Sequence, residues 1–153
     1  MNAAKRLVTK VTQEFPRLGL IFGGDSLLSR QPIIEQILST KRHYLFVAKP
    51  DDHKYLMDWV DNYNILPSVT FVDNQGRTHT YEWINDVPLN GRADSIQVNF
   101  LRCYIMGSDK NGQDKLVYQN SWVTDLTVTN ENITTLVRGG RCRWKIENEV
   151  FNV

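Results

Sequence analysis

The sequence has few of the features that mark several classes of protein. Among its 153 residues are only two cysteines, Cys103 and Cys142, far apart and without a secretory signal, so neither a disulfide framework nor a paired-cysteine metal site is indicated. No apolar run approaches the roughly 20 residues that a membrane-spanning helix needs. The net charge of +1 excludes a polycation that coats nucleic acid, although it leaves room for a local basic patch. We therefore expect a cytoplasmic protein with no membrane partner.

What is present is the composition of one globular domain, with 41% hydrophobic and 23% charged residues. Apolar residues at helical spacing predict an amphipathic helix over residues 2–15 and another that begins at Pro32. Short apolar runs over 18–22 and 44–48 predict buried strands. A strand, a helix and a strand at such short spacing indicate a parallel pair with a crossover helix, the unit of an α/β sheet.

The pattern becomes β-rich after Pro50. A short helix is predicted over 52–60, and turn signals separate predicted strands over 68–72, 78–84, 95–106 and 115–124. Helical periodicity returns near the end, where Asn130 is the predicted N-cap of a helix through Leu136. A separate final helix is predicted from Arg141, after the pair Gly139 and Gly140.

The final predicted helix carries a cluster of cations beside an acid. Arg138, Arg141, Arg143 and Lys145 lie in a stretch of eight residues that contains no acid. On a helix, Arg143 and Glu147 are four residues apart and share one face. The alternative is a surface ion pair that contributes a few tenths of a kcal/mol to stability.

The segment over 140–152 resembles the signature of the insertion-sequence-four-like transposases, which belong to the DDE class. That signature consists, in order, of a Tyr, any two residues, an Arg, any three residues, a Glu, any six residues and a Lys. Arg143 and Glu147 fit this spacing, Gly140 departs from it at the Tyr position, and the Lys would follow Val153. The resemblance is therefore carried by the Arg and the Glu of the signature.

Two further blocks agree in order with that family. The block over 24–29, Gly-Asp-Ser-Leu-Leu-Ser after an apolar strand, resembles the one that carries the second catalytic Asp. The block over 120–125, Asn-Ser-Trp-Val-Thr-Asp, lies upstream of the final helices as it does in the family. The resemblance covers essentially the whole chain.

The resemblance implies a fold, a cofactor and a reaction. The expected fold class is α/β (α+β), a partial RNase H-like fold over 1–153 with a β-rich insertion over 61–128. Asp25 and Glu147 would be two of the three catalytic carboxylates and would bind Mg²⁺ or Mn²⁺, which as a hard cation prefers oxygen ligands. The first catalytic Asp lies further upstream in the family, so we expect the chain to be inactive alone. A turn or cap is the alternative role for Asp25.

The implied partner is DNA at the transposon ends, and a homodimer of the full-length protein stays open. Trp122 matches a family Trp that stacks on a flipped base, whereas the alternative is a Trp in the core. The remaining candidate DNA contacts are cations for which a solvated surface position is the alternative, namely Lys49, Arg141, Arg143 and Lys145.

Two other function classes stay open beside a transposase that nicks DNA and transfers its strand. One is a catalytically inactive remnant that acts as a DNA-binding or interaction module. The other is an unrelated β-rich binding domain whose motifs match by chance. The three histidines, His43, His53 and His79, are dispersed and show no metal-ligand spacing, so no role is predicted for them.

Overall fold

The computed structural model describes the backbone of residues 2–145 and the side chains of residues 2–142. Within this range no helix is long and apolar enough to cross a membrane. The elements follow the order α1 (Asn2–Glu14), β1 (Ile21–Gly24), α2 (Gln31–Ser39), β2 (His43–Val47), α3 (Lys54–Asp61), β3 (Ser68–Val72), β4 (Thr78–Pro88), β5 (Gln97–Ser108), β6 (Asp114–Thr124) and α4 (Ile133–Lys145).

All six strands belong to one mixed sheet in the order β1-β2-β6-β5-β4-β3. The predicted parallel pair with a crossover helix is confirmed, because β1 pairs in parallel with β2 and α2 connects them. The other pairings are antiparallel. The strands of the 61–128 region continue the sheet directly, since Leu45 of β2 pairs with Thr124 of β6. The expected α/β (α+β) class is thus confirmed.

The sheet has a core on each face because its side chains alternate. Tyr44 and Phe46 of β2 pack in the core that α1, α2 and α3 cover. Leu45 and Val47 face the opposite way and pack in a second core that α4 covers. Both faces of the centre of the sheet are therefore buried, and apolar burial of this kind is the main stabilising contribution to a fold.

The first strand differs from its prediction. Residues 18–22 were expected to form a buried strand, but β1 begins at Ile21, and this residue is 56% exposed. Among the described residues β1 pairs with β2 alone, so it is an edge strand of the sheet. An apolar run is buried in a parallel sheet only when neighbours cover both its edges and its faces.

The end of the chain also differs from its prediction. One helix, α4, runs through Gly139 and Gly140 where two helices were expected. Its cap is not Asn130: the backbone N–H of Thr129 donates to Oδ1 of Asn132 at 2.7 Å, and the N–H of Asn132 donates to Oγ1 of Thr129 at 3.3 Å. This reciprocal pair is a variant of the capping box.

The two glycines continue the helix because they let it lie close to the sheet. A β-carbon at Gly140 would lie 2.5 Å from Cε2 and from Nε1 of the Trp122 indole, whereas one at Gly139 would lie 3.5 Å from Cδ2 of Leu45. Only the first distance is impossible for real atoms, and Trp122 is fully buried. Tertiary packing thus overrides the low helix propensity of glycine here.

This contact predicts opposite effects for the same substitution at two adjacent positions. Gly139→Ala should raise the free energy of unfolding by up to about 1 kcal/mol, because alanine is the better helix former and has room. Gly140→Ala should lower it by about 1–3 kcal/mol, because the buried indole has to move. Urea unfolding of both variants measures the difference. Equal stabilisation by the two substitutions would contradict the close approach of α4 to Trp122.

Candidate functional site

The parallel strands β1 and β2 present their carboxyl ends side by side at one edge of the sheet. Gly24 pairs with Phe46, so Asp25 and Lys49 follow the two strands at the same end. Open α/β sheets bind ligands outside the carboxyl ends of their strands. The Asp25 carboxylate accepts the backbone N–H of Leu27 at 3.1 Å, which makes Asp25 a turn residue as well as a candidate ligand.

Two side-chain hydrogen bonds join the loop after β1 to the loop after β2. The Ser26 hydroxyl donates to the carboxylate of Asp52. Oγ of Ser29 lies 2.5 Å from Nε2 of His53, and the Ser29 hydroxyl also donates to the backbone carbonyl of Ser26 at 2.9 Å. Since the one Ser29 proton is engaged by that carbonyl, we assign the proton of the second bond to Nε2 of His53. The two loops are therefore held in a fixed relative position.

The charges in these loops follow from the same contacts. The hydrogen bond from Ser26 lowers the pKa of Asp52, and the guanidinium of Arg30, 3.9 Å from the carboxylate, acts in the same direction. Burial lowers the pKa of His53, and repulsion by Arg30 lowers it further, against the attraction of Asp52. Asp52 is thus ionised and His53 neutral near pH 7. Ser29 and His53 form a structural pair, since the serine proton is directed to a carbonyl rather than to the imidazole.

Of the two predicted metal ligands, Asp25 lies at this edge. Within the described residues no group of three or more His, Cys, Asp or Glu side chains could hold a metal ion. Asp25 supplies a carboxylate of the kind that Mg²⁺ prefers, whereas Asp52 is engaged by Ser26 and Arg30. Glu147, the second predicted catalytic residue, lies outside the described residues. The metal site therefore stays a prediction.

Trp122 occupies the core. Its side chain is fully buried between the sheet and α4, and no described group accepts a hydrogen bond from its indole Nε1. This is the alternative that the sequence left open for Trp122. Stacking on an unpaired base would require the ring to leave the core, and that role stays a prediction.

The predicted cations occupy two regions. Lys49 is exposed at the edge that carries Asp25. The Arg141 guanidinium lies 4.6 Å from the ring centroid of Tyr118, on the face of the sheet that α4 covers. Arg143 and Lys145 lie in the last turns of α4. Lys49 thus accompanies Asp25, whereas Arg141 belongs to a separate surface.

The histidines, for which the sequence predicted no role, each pair with a polar side chain. His53 pairs with Ser29, 24 residues away, and His43 pairs with Asp125, 82 residues away. Neither pair could be found from sequence spacing, because only the sheet brings the partners together. His79 and Asp73 are six residues apart across a turn, so the turn signal at 74–76 was the one available indication of their contact.

No model of a known protein family matches the chain, and a search of curated proteins finds no match. Function is therefore inferred from the motifs and from the geometry of the two loops.

The neutral state of His53 predicts a pH-dependent stability. Because folding holds the pKa of His53 below its usual value of about 6.5, the unfolded chain takes up this proton first as the pH falls. The contribution of His53 to the free energy of unfolding is therefore full above that value and decreases from about pH 7 towards pH 5. His53→Gln keeps an N–H donor for Ser29. Its free energy of unfolding should decrease less than that of the wild type over this pH range.

Urea titrations at several pH values measure this loss, and His43→Gln is the matched control. The control removes an exposed histidine that pairs with Asp125. Because His53 is intact in this variant, the decrease in stability that His53 causes at low pH should remain. Parallel curves for the wild type and His53→Gln would show that His53 is not held neutral.

Proposed function

We propose that this chain is part of the catalytic domain of a DDE-class transposase. In the full-length protein that domain would carry out metal-dependent nicking of DNA and strand transfer, on a partial RNase H-like fold. The observation that carries the proposal is the position of Asp25, directly after the first of two parallel strands and in the block that resembles the family's second catalytic Asp.

The direction of α4 supports a carboxylate partner for Asp25. Before the helix begins, the backbone of Val128 exchanges two hydrogen bonds with the side chain of Asn85, near the level where Leu45 of β2 pairs with Thr124. Further along, Arg141 lies over Tyr118, beyond the carboxyl end of β2. The helix therefore advances along the sheet towards the carboxyl end of β2. Glu147 lies outside the described residues, and its pairing with Asp25 stays part of the proposal.

The edge strand offers a second line of support. Among the described residues β1 pairs on one side only. Ile21 at its start is 56% exposed, and Leu27 in the loop that follows it is 66% exposed. An open apolar edge is a pairing surface. The family fold has a strand with the first catalytic Asp, and this edge would place that Asp beside Asp25.

The residues of the site have distinct expected roles. When bound, a pair of divalent metals activates the attacking water or 3′-hydroxyl and stabilises the leaving oxygen. Asp25 would hold metal through its carboxylate, and Lys49 would contact a phosphate beside it. The pairs Ser26–Asp52 and Ser29–His53 would keep the two loops, and hence Asp25 and Lys49, in position.

A non-catalytic DNA-binding module is the second candidate. It is supported by the cations that the sequence predicts as DNA contacts, of which Lys49 is exposed beside Asp25. The two candidates share a DNA partner and differ in whether Asp25 binds metal.

Metal binding by the 153-residue chain tests the first candidate. We expect weak binding of Mn²⁺, seen as paramagnetic broadening of the amide signals around Asp25, because a single site lacks the carboxylates of a full two-metal centre. Asp25→Asn should abolish the broadening, whereas Asp58→Asn, which removes an exposed carboxylate of α3, should not. Broadening that survives Asp25→Asn would remove Asp25 from the site and the proposal with it.

We also expect the purified chain to leave supercoiled plasmid uncut in the presence of Mg²⁺ or Mn²⁺. Strong metal-dependent cleavage that Glu147→Gln abolishes would show that the chain supplies a complete set of carboxylates. The expected inactivity would then be wrong, although the transposase chemistry would stand.

A further inference from the structure

A polar cavity lies on the α4 face of the sheet, between the β3–β4 turn and α4. It has a volume of about 310 Å³, and Arg77 from the turn and Arg141 from the helix both line it. These residues are far apart in sequence, and only the fold brings the two guanidiniums to one cavity. Within the described residues neither of them forms an ion pair.

An aromatic ring, that of Tyr118, contacts the Arg141 side of this cavity. The Arg141 guanidinium lies 4.6 Å from the centroid of the Tyr118 ring, a cation–π contact that orients it. Burial raises the pKa of Tyr81, and the charges of Arg141 and Arg138 oppose that rise. Of the two arginines, Arg141 lines the cavity together with Arg77.

Among the described residues that line the cavity, Asp73 is the one with a carboxylate, and its own turn occupies that carboxylate. Asp73 accepts the backbone N–H groups of Gln75 and Arg77 at 2.8 and 3.0 Å, and Nε2 of His79 donates to it at 2.8 Å. The hydrogen bond from His79 is the largest cause of a lowered pKa of Asp73. With its oxygens engaged, the carboxylate orders the turn and forms no ion pair with Arg77 or Arg141.

An exposed aromatic ring, that of Phe71, lies next to His79 in the cavity wall. Phe71 stacks on the His79 imidazole with ring centroids 4.7 Å apart, and it is 41% exposed. A cationic cavity next to an exposed aromatic ring is the combination that binds single-stranded nucleic acid, because the cations contact the backbone and the ring stacks on a base.

We propose that this cavity binds a backbone phosphate of single-stranded DNA through Arg77 and Arg141, with Phe71 as a stacking surface for a neighbouring base. Guanidinium forks match the geometry of a phosphate and donate two parallel hydrogen bonds to it. The choice of DNA rests on the proposed function. The site itself lies on the α4 face and is separate from the loops that carry Asp25.

Fluorescence anisotropy of a labelled oligothymidylate with the full 153-residue chain tests the proposal. Arg77→Ala and Arg141→Ala should each weaken binding by about tenfold, since each removes a charge-assisted hydrogen bond. Each should also reduce the salt dependence, with a slope that changes by about 0.7 per lost phosphate contact on a single strand. Arg92→Ala is the matched control, because it removes an exposed arginine that pairs with Asp94 outside the cavity.

Three further measurements distinguish base stacking, phosphate binding and the charge of Arg141 as contributions to the affinity. Phe71→Ala should weaken binding to the single strand and leave duplex binding unchanged. Inorganic phosphate alone should compete weakly, and binding of phosphate as tight as that of DNA would overturn the nucleic-acid assignment. Arg141→Lys, which keeps the charge, should retain part of the affinity, and it serves as the test if Arg141→Ala fails to fold.

Unchanged affinity in both arginine variants, or a preference for duplex over single strand, would overturn the proposal. So would a wild-type chain that does not bind the oligonucleotide. None of these results would affect Mn²⁺ binding at Asp25, so failure of this site and failure of the proposed transposase function are distinguishable.

Discussion

The pairing of β2 with β6 is the contact on which the rest of the structure depends. Three residue pairs, Leu45–Val47 against Trp122–Thr124, join the parallel β1–β2 unit to the antiparallel strands β3 to β6. The junction is extended at the carboxyl end of β2, where Ser121 donates to the carbonyl of Ala48 at 2.7 Å, and at the amino end, where Asp125 accepts the N–H of Tyr44 at 3.0 Å. Without this ladder the chain would have two sheets with open edges.

The same pairing determines where the functional residues lie. It places Trp122 under α4, and α4 then carries Arg141 to the turn that follows β3. On the opposite face, α2 and α3 begin at the ends of two loops. Hydrogen bonds between Ser26 and Asp52 and between Ser29 and His53 join these loops. The Asp25 edge and the arginine cavity are consequently two surfaces of one sheet, and a nucleic acid that contacted both would pass around the carboxyl end of β2.

Local patterns were sufficient to predict most of the elements but not their surroundings. Alternation and turn residues located the strands from Ser68 to Thr124 within a few residues, because these signals are local. The exposure of Ile21 and the burial of Trp122 depend on which strands are neighbours, which a single sequence does not specify. The bonds of Ser26 to Asp52 and of Ser29 to His53 were missed for the same reason. The position of Asp25 directly after a strand was predicted correctly because that signal is local.

The contact between Gly140 and Trp122 couples the sizes of the side chains that these two positions can hold. Their combined volume is fixed by the distance between α4 and β6, so a larger residue at one position requires a smaller residue at the other.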